Sequence, residues 1–282
     1  MRRTNRIDLH VHSNASDGAF SVEKILELSA EKRLKAISIT DHDCIDSVAR
    51  AVQLGSLINL EVIPGLELSC IHKKTDIHIL GYFVDIENKA LLGKLGSLRK
   101  TRYTRAEKIV ENLNKMNIDL RFETVLEIAA GASIGRPHIA LAMIKEELVY
   151  SIKDAFDNYI GYESPAYVEK EPLSPSEACR LIHESGGIAI LAHPITVDKD
   201  NMIDELLECG VDGLEVFFPE QNRMHSRKYY NICRTKGLPF TGGSDFHDER
   251  FGNTSLGSLN INYSIIENLK EYLKKRGVYA AK

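Results

Sequence analysis

The sequence predicts an α/β fold built on a parallel sheet, and three observations carry that prediction. Short apolar runs recur at 6–13, 35–40, 60–68, 77–84, 187–192, 213–218 and 239–241, each closed by polar residues. Helix-period segments separate several of them, at 22–34, 46–58, 175–185, 202–209 and 221–236. Strands alternating with helices call for parallel pairing, and about seven strands suggest a barrel; an open doubly wound sheet fits the same alternation. The third observation is a break in that pattern. Between residues 88 and 173 the chain reads as helix almost throughout, at 91–116, 122–130, 137–147 and 152–159. This predicts a mostly helical insert, 88–173, between two barrel segments, 1–87 and 174–282.

The first run alternates. Ile7, Leu9 and Val11 fall on one face, and Asp8, His10 and His12 on the other. The helix predicted at 175–185 has a start signal, with Ser174 as N-cap, Pro175 at the first helical position and Glu177 three residues after the cap. Gly186-Gly187 ends it and opens the next strand.

Composition narrows the function classes. Among 282 residues, 36 Lys and Arg face 40 Asp and Glu, a formal charge of −4, and 43% are hydrophobic. That is a folded globular protein, and the acidic balance argues against a long groove for duplex nucleic acid. Small anionic ligands fit, because a few Arg, Lys or metal ions bind them locally. No apolar signal-peptide core follows Met1-Arg2-Arg3 and no stretch is long enough to span a bilayer, so a cytoplasmic protein is expected. Five cysteines (Cys44, Cys70, Cys179, Cys209, Cys233) stand singly, which argues against a disulfide framework or a thiolate zinc knuckle.

The ten histidines decide the rest. His10 and His12 share a face near the end of the first strand, and Asp41-His42-Asp43 closes the second. Glu67 closes the third, His78 lies in the fourth, His193 follows the fifth, and Asp245 and His247 follow the last. Parallel barrels place their active sites at that rim. The set is all nitrogen and oxygen, which suits Zn, Mn or Fe bound with open positions, and its several carboxylates allow a bridged, multi-metal cluster. His72, His183 and His225 lie outside this pattern and read as surface or core residues.

Asp8-Leu9-His10-Val11-His12-Ser13, Asp17-Gly18, Thr40-Asp41-His42, Gly65-Leu66-Glu67, His78, Arg136-Pro137-His138, Ala192-His193-Pro194 and Gly243-Ser244-Asp245-Phe246-His247 resemble the motifs of the PHP (polymerase and histidinol phosphatase) family. The match runs in order over nearly the whole chain. The resemblance implies a distorted (β/α)7 barrel with a trinuclear metal site that hydrolyses phosphoesters. The opening His10 to Gly18 and the segment carrying Gly135-Arg136-Pro137-His138 resemble a narrower branch, similar to 3′,5′-nucleoside bisphosphate phosphatases, some of which also act as 5′-to-3′ exoribonucleases on short RNA.

On that resemblance, His10, His12, Glu67 and Asp245 hold one metal, with Glu67 bridging to a second held by His78 and His193. Asp17, His42 and His247 match the ligands of a third; Asp17 stands where some relatives carry His. Two or three divalent transition metals are expected, manganese first, with zinc or iron as alternatives. Arg136 offers a planar fork for phosphate oxygens, and His138, on the same turn, is placed to bind phosphate or to protonate the leaving oxygen. Asp8 is expected to orient a ligand histidine. Arg99 and Arg102, with Arg105 on the same helix, read as a second anion site for a substrate's other phosphate, or as a solvated basic face balanced by Glu107 and Glu111. The expected partner is a small phosphorylated substrate, a nucleotide or short single-stranded RNA. A histidinol phosphatase shares the barrel and metals, and a phosphate- or metal-binding module without catalysis is the alternative from another class.

Overall fold

The computed structural model describes residues 4–170, 173–197, 201–219, 223–248 and 254–277. Its strands are β1 (Arg6–Val11), β2 (Ala36–Ile39), β3 (Glu61–Val62), β4 (Gly65–His72), β5 (Thr75–Tyr82), β6 (Ile188–Leu191), β7 (Gly213–Phe217), β8 (Phe240–Gly242) and β9 (Ile261–Asn262). Helices α1 (Val22–Glu31) and α2 (Val48–Leu57) lie between the early strands. After β5 come α3 (Lys89–Lys115), α4 (Phe122–Ala129), α5 (Arg136–Lys145) and α6 (Ile152–Ala155), the last running into a π turn at Phe156–Ile160. Alternation then resumes with α7 (Pro175–Glu184), α8 (Met202–Glu208), α9 (Arg223–Lys236) and α10 (Ser264–Lys275).

Two sheets form, in the orders β3-β2-β1-β9 and β4-β5-β6-β7-β8. Parallel bridges join the two sheets at Val11 with Phe246 and at His42 with Glu67. Both seams therefore fall on residues that the sequence marks for chemistry. Tyr82, fully buried on β5, reaches from one sheet to the Leu9 carbonyl of the other at 2.9 Å.

Three expectations need correction. The run 60–68 is two strands, because Pro64 lacks the N–H that a continuous ladder needs; β3 pairs with β2, and β4 starts the other sheet. Pairing is not parallel throughout, since β5 runs antiparallel to both β4 and β6. Lys73 and Lys74, at φ 48° and 65°, make the tight two-residue turn that folds β5 back on β4. Finally, β9 and α10 lie beyond the last predicted element. The predicted helix start at 221–222 lies outside the described residues.

Other elements form as their sequences dictate. Ser174 Oγ accepts the Glu177 N–H at 3.2 Å, and Gly186, at φ 79°, ends α7. Asn88 caps α3 by accepting the N–H groups of Ala90 and Leu91. Apolar residues of β1, β5 and β6 share one cluster with Ile265, Ile266, Leu269 and Leu273 of α10. Helices α3 to α6 gather a cluster of their own, from Ala106 to Ala166. Among the described residues no helix is long and apolar enough to cross a membrane.

Candidate metal centre

Strand β1 alternates as the sequence predicts, yet both faces are buried: Asp8, His10 and His12 are as inaccessible as Ile7, Leu9 and Val11. Burying that polar face costs free energy unless something inside satisfies it. The structure brings all nine predicted ligand residues to that face. His10 and His12 come from β1 and the residue after it, Glu67 from β4 and His78 from β5. Asp17, His42, His193, Asp245 and His247 come from the segments following β1, β2, β6 and β8.

Glu67 lies at the centre. Its Oε2 is 3.4 Å from His10 Nε2, 3.3 Å from His12 Nε2 and 3.1 Å from His42 Nδ1. Its Oε1 is 3.1 Å from His78 Nδ1 and 3.2 Å from His193 Nε2. One carboxylate thus presents its two oxygens to two different sets of imidazoles. Asp245 Oδ1 sits 3.2 and 3.1 Å from the Nε2 atoms of His10 and His12. Asp17 faces His247 Nε2 at 3.4 Å, and His12 Nδ1 and His42 Nε2 each at 3.8 Å. Three groupings have ligand atoms close enough to share an ion: His12–Asp17–His42–His247, His10–His12–Glu67 and His42–Glu67–His78.

The donor set fits divalent cations. His10 Nε2, both ring nitrogens of His12, His42 Nδ1 and Asp17 Oδ1 are buried and make no hydrogen bond among the described residues. Orphaned polar atoms at that density are what a metal cluster leaves when its ions are removed. The charge balance agrees. Burial opposes ionisation of Glu67, but His42, His78 and His10 outweigh it and hold its carboxyl well below the usual range. Burial likewise opposes charge on His78 and His247, yet Glu67 and Asp76 lift the first to about 9, and Asp17 and Asp245 lift the second to about 10. His42 goes the other way: burial pushes it down to about 3. The carboxylates demand positive charge, which divalent ions supply by displacing protons.

Residues beyond the nine hold this arrangement. Glu215, on β7, accepts from the His193 N–H at 2.8 Å and bonds His10 Nδ1 at 3.0 Å, leaving His10 Nε2 turned to the centre. Nothing in the sequence analysis named it, although an acid inside the apolar run Gly213–Phe217 was a signal. Asp41 takes the Ser13 N–H and the Ser16 hydroxyl, at 2.7 and 2.8 Å, and so shapes the loop that carries Asp17. Asp76 lies 3.6 Å from His78 Nε2 and is held by Lys170 at 2.7 Å. Glycines admit the backbone crossings: a Cβ on Gly18 would fall 2.2 Å from the His12 carbonyl oxygen, and one on Gly243 would fall 2.3 Å from the His10 nitrogen. Asp43, His193 and Asp245 take φ of 50°, 31° and 51°, a conformation that only well-packed surroundings impose on such residues.

Glu215→Ala is expected to weaken metal binding or lower kcat/KM by about 10- to 100-fold, the range for losing a group that orients a ligand histidine. Titration of the variant with Mn2+ checks this, and wild-type affinity would assign Glu215 to the fold alone.

Several predicted roles change. Asp8 holds a ligand histidine by its backbone and not by its ring: it accepts the His10 N–H at 3.4 Å, the Ser244 N–H and hydroxyl at 2.8 and 2.6 Å and the Gly257 N–H at 2.7 Å, tying β1 to the loop after β8. The ring-orienting role belongs to Glu215. Arg99 is exposed and pairs with Asp46 at 2.6 Å, away from the cluster. Arg102 is neither a free phosphate donor nor a solvated side chain: its guanidinium is held by Asp43 and Ser69, at 2.7 and 3.0 Å. His138 accepts the Gly135 N–H on Nδ1 at 2.9 Å, and the Ser16 backbone meets its ring. Nδ1 is thus committed to backbone. His72 and His183 pair with Glu205 and Asp212 at 3.0 and 2.8 Å, outside the centre as expected.

Comparison with known proteins decides the family. The PHP domain pattern matches residues 8–192. The chain belongs to the PHP family. It is 30% identical over 247 residues to the 5′-3′ exoribonuclease Rnm of Salmonella typhimurium, covering 85% of this chain and 84% of that protein. It is 28% identical over 257 residues to the 3′,5′-nucleoside bisphosphate phosphatase of Chromobacterium violaceum, covering 89% and 90%. A structure from Bifidobacterium adolescentis, assigned as a metal-dependent phosphoesterase, superposes with a TM-score of 0.86 at 25% identity, covering 93% and 94%. This PHP chain is a metal-dependent hydrolase of phosphoric ester bonds.

Proposed function

We propose that the enzyme removes the 3′-phosphate of nucleoside 3′,5′-bisphosphates and trims short 5′-phosphorylated RNA by the same chemistry. One observation carries the choice of substrate: a second, uncompensated source of positive charge on the helical segment. Arg105 and Arg136 lie against the same Tyr167 ring, their Cζ atoms 5.5 and 5.6 Å from its centroid. Arg105 donates to the Val168 carbonyl at 2.7 Å and Arg136 to the Ile160 carbonyl at 3.4 Å, and neither meets a carboxylate among the described residues. Arg105 Nη2 is buried without a partner. Burial, then Arg136 and Arg102, push the Arg105 pKa down to about 10. Two guanidinia at one aromatic ring, without a carboxylate partner among the described residues, make an anion subsite. It replaces Arg99 and Arg102 as the seat of a second phosphate.

When bound at the histidine–carboxylate cluster, metals would supply a water of lowered pKa and a clamp on the attacked phosphate. His10, His12, Glu67 and Asp245 would hold one, Glu67, His78 and His193 a second, and Asp17, His42 and His247 a third. Manganese is our choice of metal, since the groupings contain imidazole and carboxylate but no thiolate. Arg105 and Arg136 grip the 5′-phosphate, and that remote binding energy goes into orienting the reacting 3′-phosphate. Water oxygen joins phosphorus, the P–O3′ bond breaks, and the 3′ oxygen leaves with a proton. In RNA the first phosphodiester takes the place of the 3′-phosphate. We read the two bridged sheets as one distorted barrel of the (β/α)7 type and residues 88–173 as a helical subdomain inserted in it; the bridges between the sheets and the separate apolar cluster support this.

The test is kcat/KM on adenosine 3′,5′-bisphosphate, 3′-monophosphate and 5′-monophosphate. With charge-assisted contacts at roughly 1.5–3 kcal/mol each, the bisphosphate should exceed the 3′-monophosphate by about 100-fold or more. Equal rates on those two would remove the second-phosphate subsite. Preference for histidinol phosphate over all three would overturn the substrate assignment.

A further inference from the structure

The helical segment meets the metal centre at two particular loops. Arg102, on α3, donates from Nε to Asp43 at 2.7 Å, from Nη1 to the Ile134 carbonyl at 3.2 Å and from Nη2 to Ser69 Oγ at 3.0 Å. Asp43 directly follows His42, and its other oxygen takes the Ser69 N–H at 2.9 Å. The second loop is 13–18. Ser133 N–H donates to the Ala15 carbonyl at 2.9 Å, and the Ser16 backbone meets the His138 ring of α5. Ala15 and Ser16 lead straight into Asp17. Gly135 sits between the two ties: a Cβ placed there would lie 3.7 Å from Asp17 Oδ2 and 3.8 Å from Arg102 Nη1.

His42 turns Nδ1 to Glu67, in the grouping with His78, and Nε2 to Asp17, whose one grouping is with His12, His42 and His247. We propose that α3 and α5 latch this one metal position, with Arg102 and His138 as positioning residues that keep Asp17 and His42 within reach of the other two ligands. The physical reason is conformational entropy. Asp17 and His42 ride on irregular loops, and holding such residues in place costs backbone entropy. Glu67 and His78 instead sit in an eight-pair antiparallel ladder between β4 and β5, which fixes them without help from the helices. Loss of the latch should therefore empty one position and spare the rest. This rests on the metal-centre reading alone and holds whichever phosphoester is cut.

The experiment uses the full chain, stripped with chelator, refilled with excess Mn2+ alone, desalted and analysed for metal per chain. Arg102→Met and His138→Ala are each expected to retain one metal fewer than wild type, with unchanged circular dichroism. Amide exchange should accelerate by about tenfold or more across residues 13–18 in His138→Ala and across 41–43 in Arg102→Met, as local opening becomes easier. Arg102→Lys keeps a charge beside Asp43 but loses the fork to Ser69 and Ile134, so it should refill that position only at higher Mn2+. Arg121→Ala, on the same segment but paired with Glu146, should match wild type. Wild-type metal content in both Arg102→Met and His138→Ala would overturn the latch. Loss of every metal from either variant would overturn it too, since the residue would then support the whole centre.

Discussion

Glu67→Ala is expected to lower kcat/KM by about 1000-fold or more and to strip the protein of bound metal. Its two oxygens face five imidazoles, three across Oε2 and two across Oε1, so one truncation leaves two metal positions under-coordinated at once. Metal assistance in hydrolysis is worth several kcal/mol, and about 4 kcal/mol corresponds to roughly three orders of magnitude in rate. Metal analysis and steady-state rates on one preparation check this. Glu67→Gln, which keeps the volume but offers one oxygen and an amide, should restore folding without restoring the rate. Near-wild-type metal content in Glu67→Ala would show that the remaining histidines and Asp245 suffice, and the bridging role would fall.

Arg136→Ala should reduce kcat/KM on a bisphosphate by roughly 2–4 kcal/mol in transition-state terms, the order found when an oriented charged donor is removed. The loss should be confined to substrates with the second phosphate, because Arg136 lies against Phe156 and Tyr167, not among the metal-facing residues. Metal content should stay at the wild-type value. Arg136→Lys should recover part of the rate, since an ammonium supplies charge but not two parallel N–H donors. A variant that lost its metals would make Arg136 part of the fold, and equal losses on mono- and bisphosphates would move its contact to the reacting phosphate.

The two predictions divide the site into parts that were legible in the sequence to different degrees. Metal-facing residues announce themselves, because imidazole and carboxylate at strand ends have few other uses in such numbers. Supporting residues do not. Glu215 is one acid in an apolar strand, and its bond to His10 spans 205 positions. Whether Arg102 meets phosphate or Asp43 depends on how α3 lies over β4, which no periodicity encodes.

What the sequence determined by itself was local: strand and helix periods, the Ser174 cap, the helical stretch after β5 and the set of histidines and acids at strand ends, Asp17 coming only from the family resemblance. Residue type and spacing suffice for these, since each reflects covalent geometry or donor chemistry within a few positions. Only the tertiary structure decided the rest. It reversed β5 through the Lys73–Lys74 turn and buried both faces of β1. It gave the ring of His10 to Glu215 and not to Asp8, and it set His138 against the Gly135 N–H and Arg102 against Asp43. Those outcomes depend on which buried polar groups find each other across the fold, and a buried charge or imidazole takes whichever partner the packing brings within hydrogen-bonding distance.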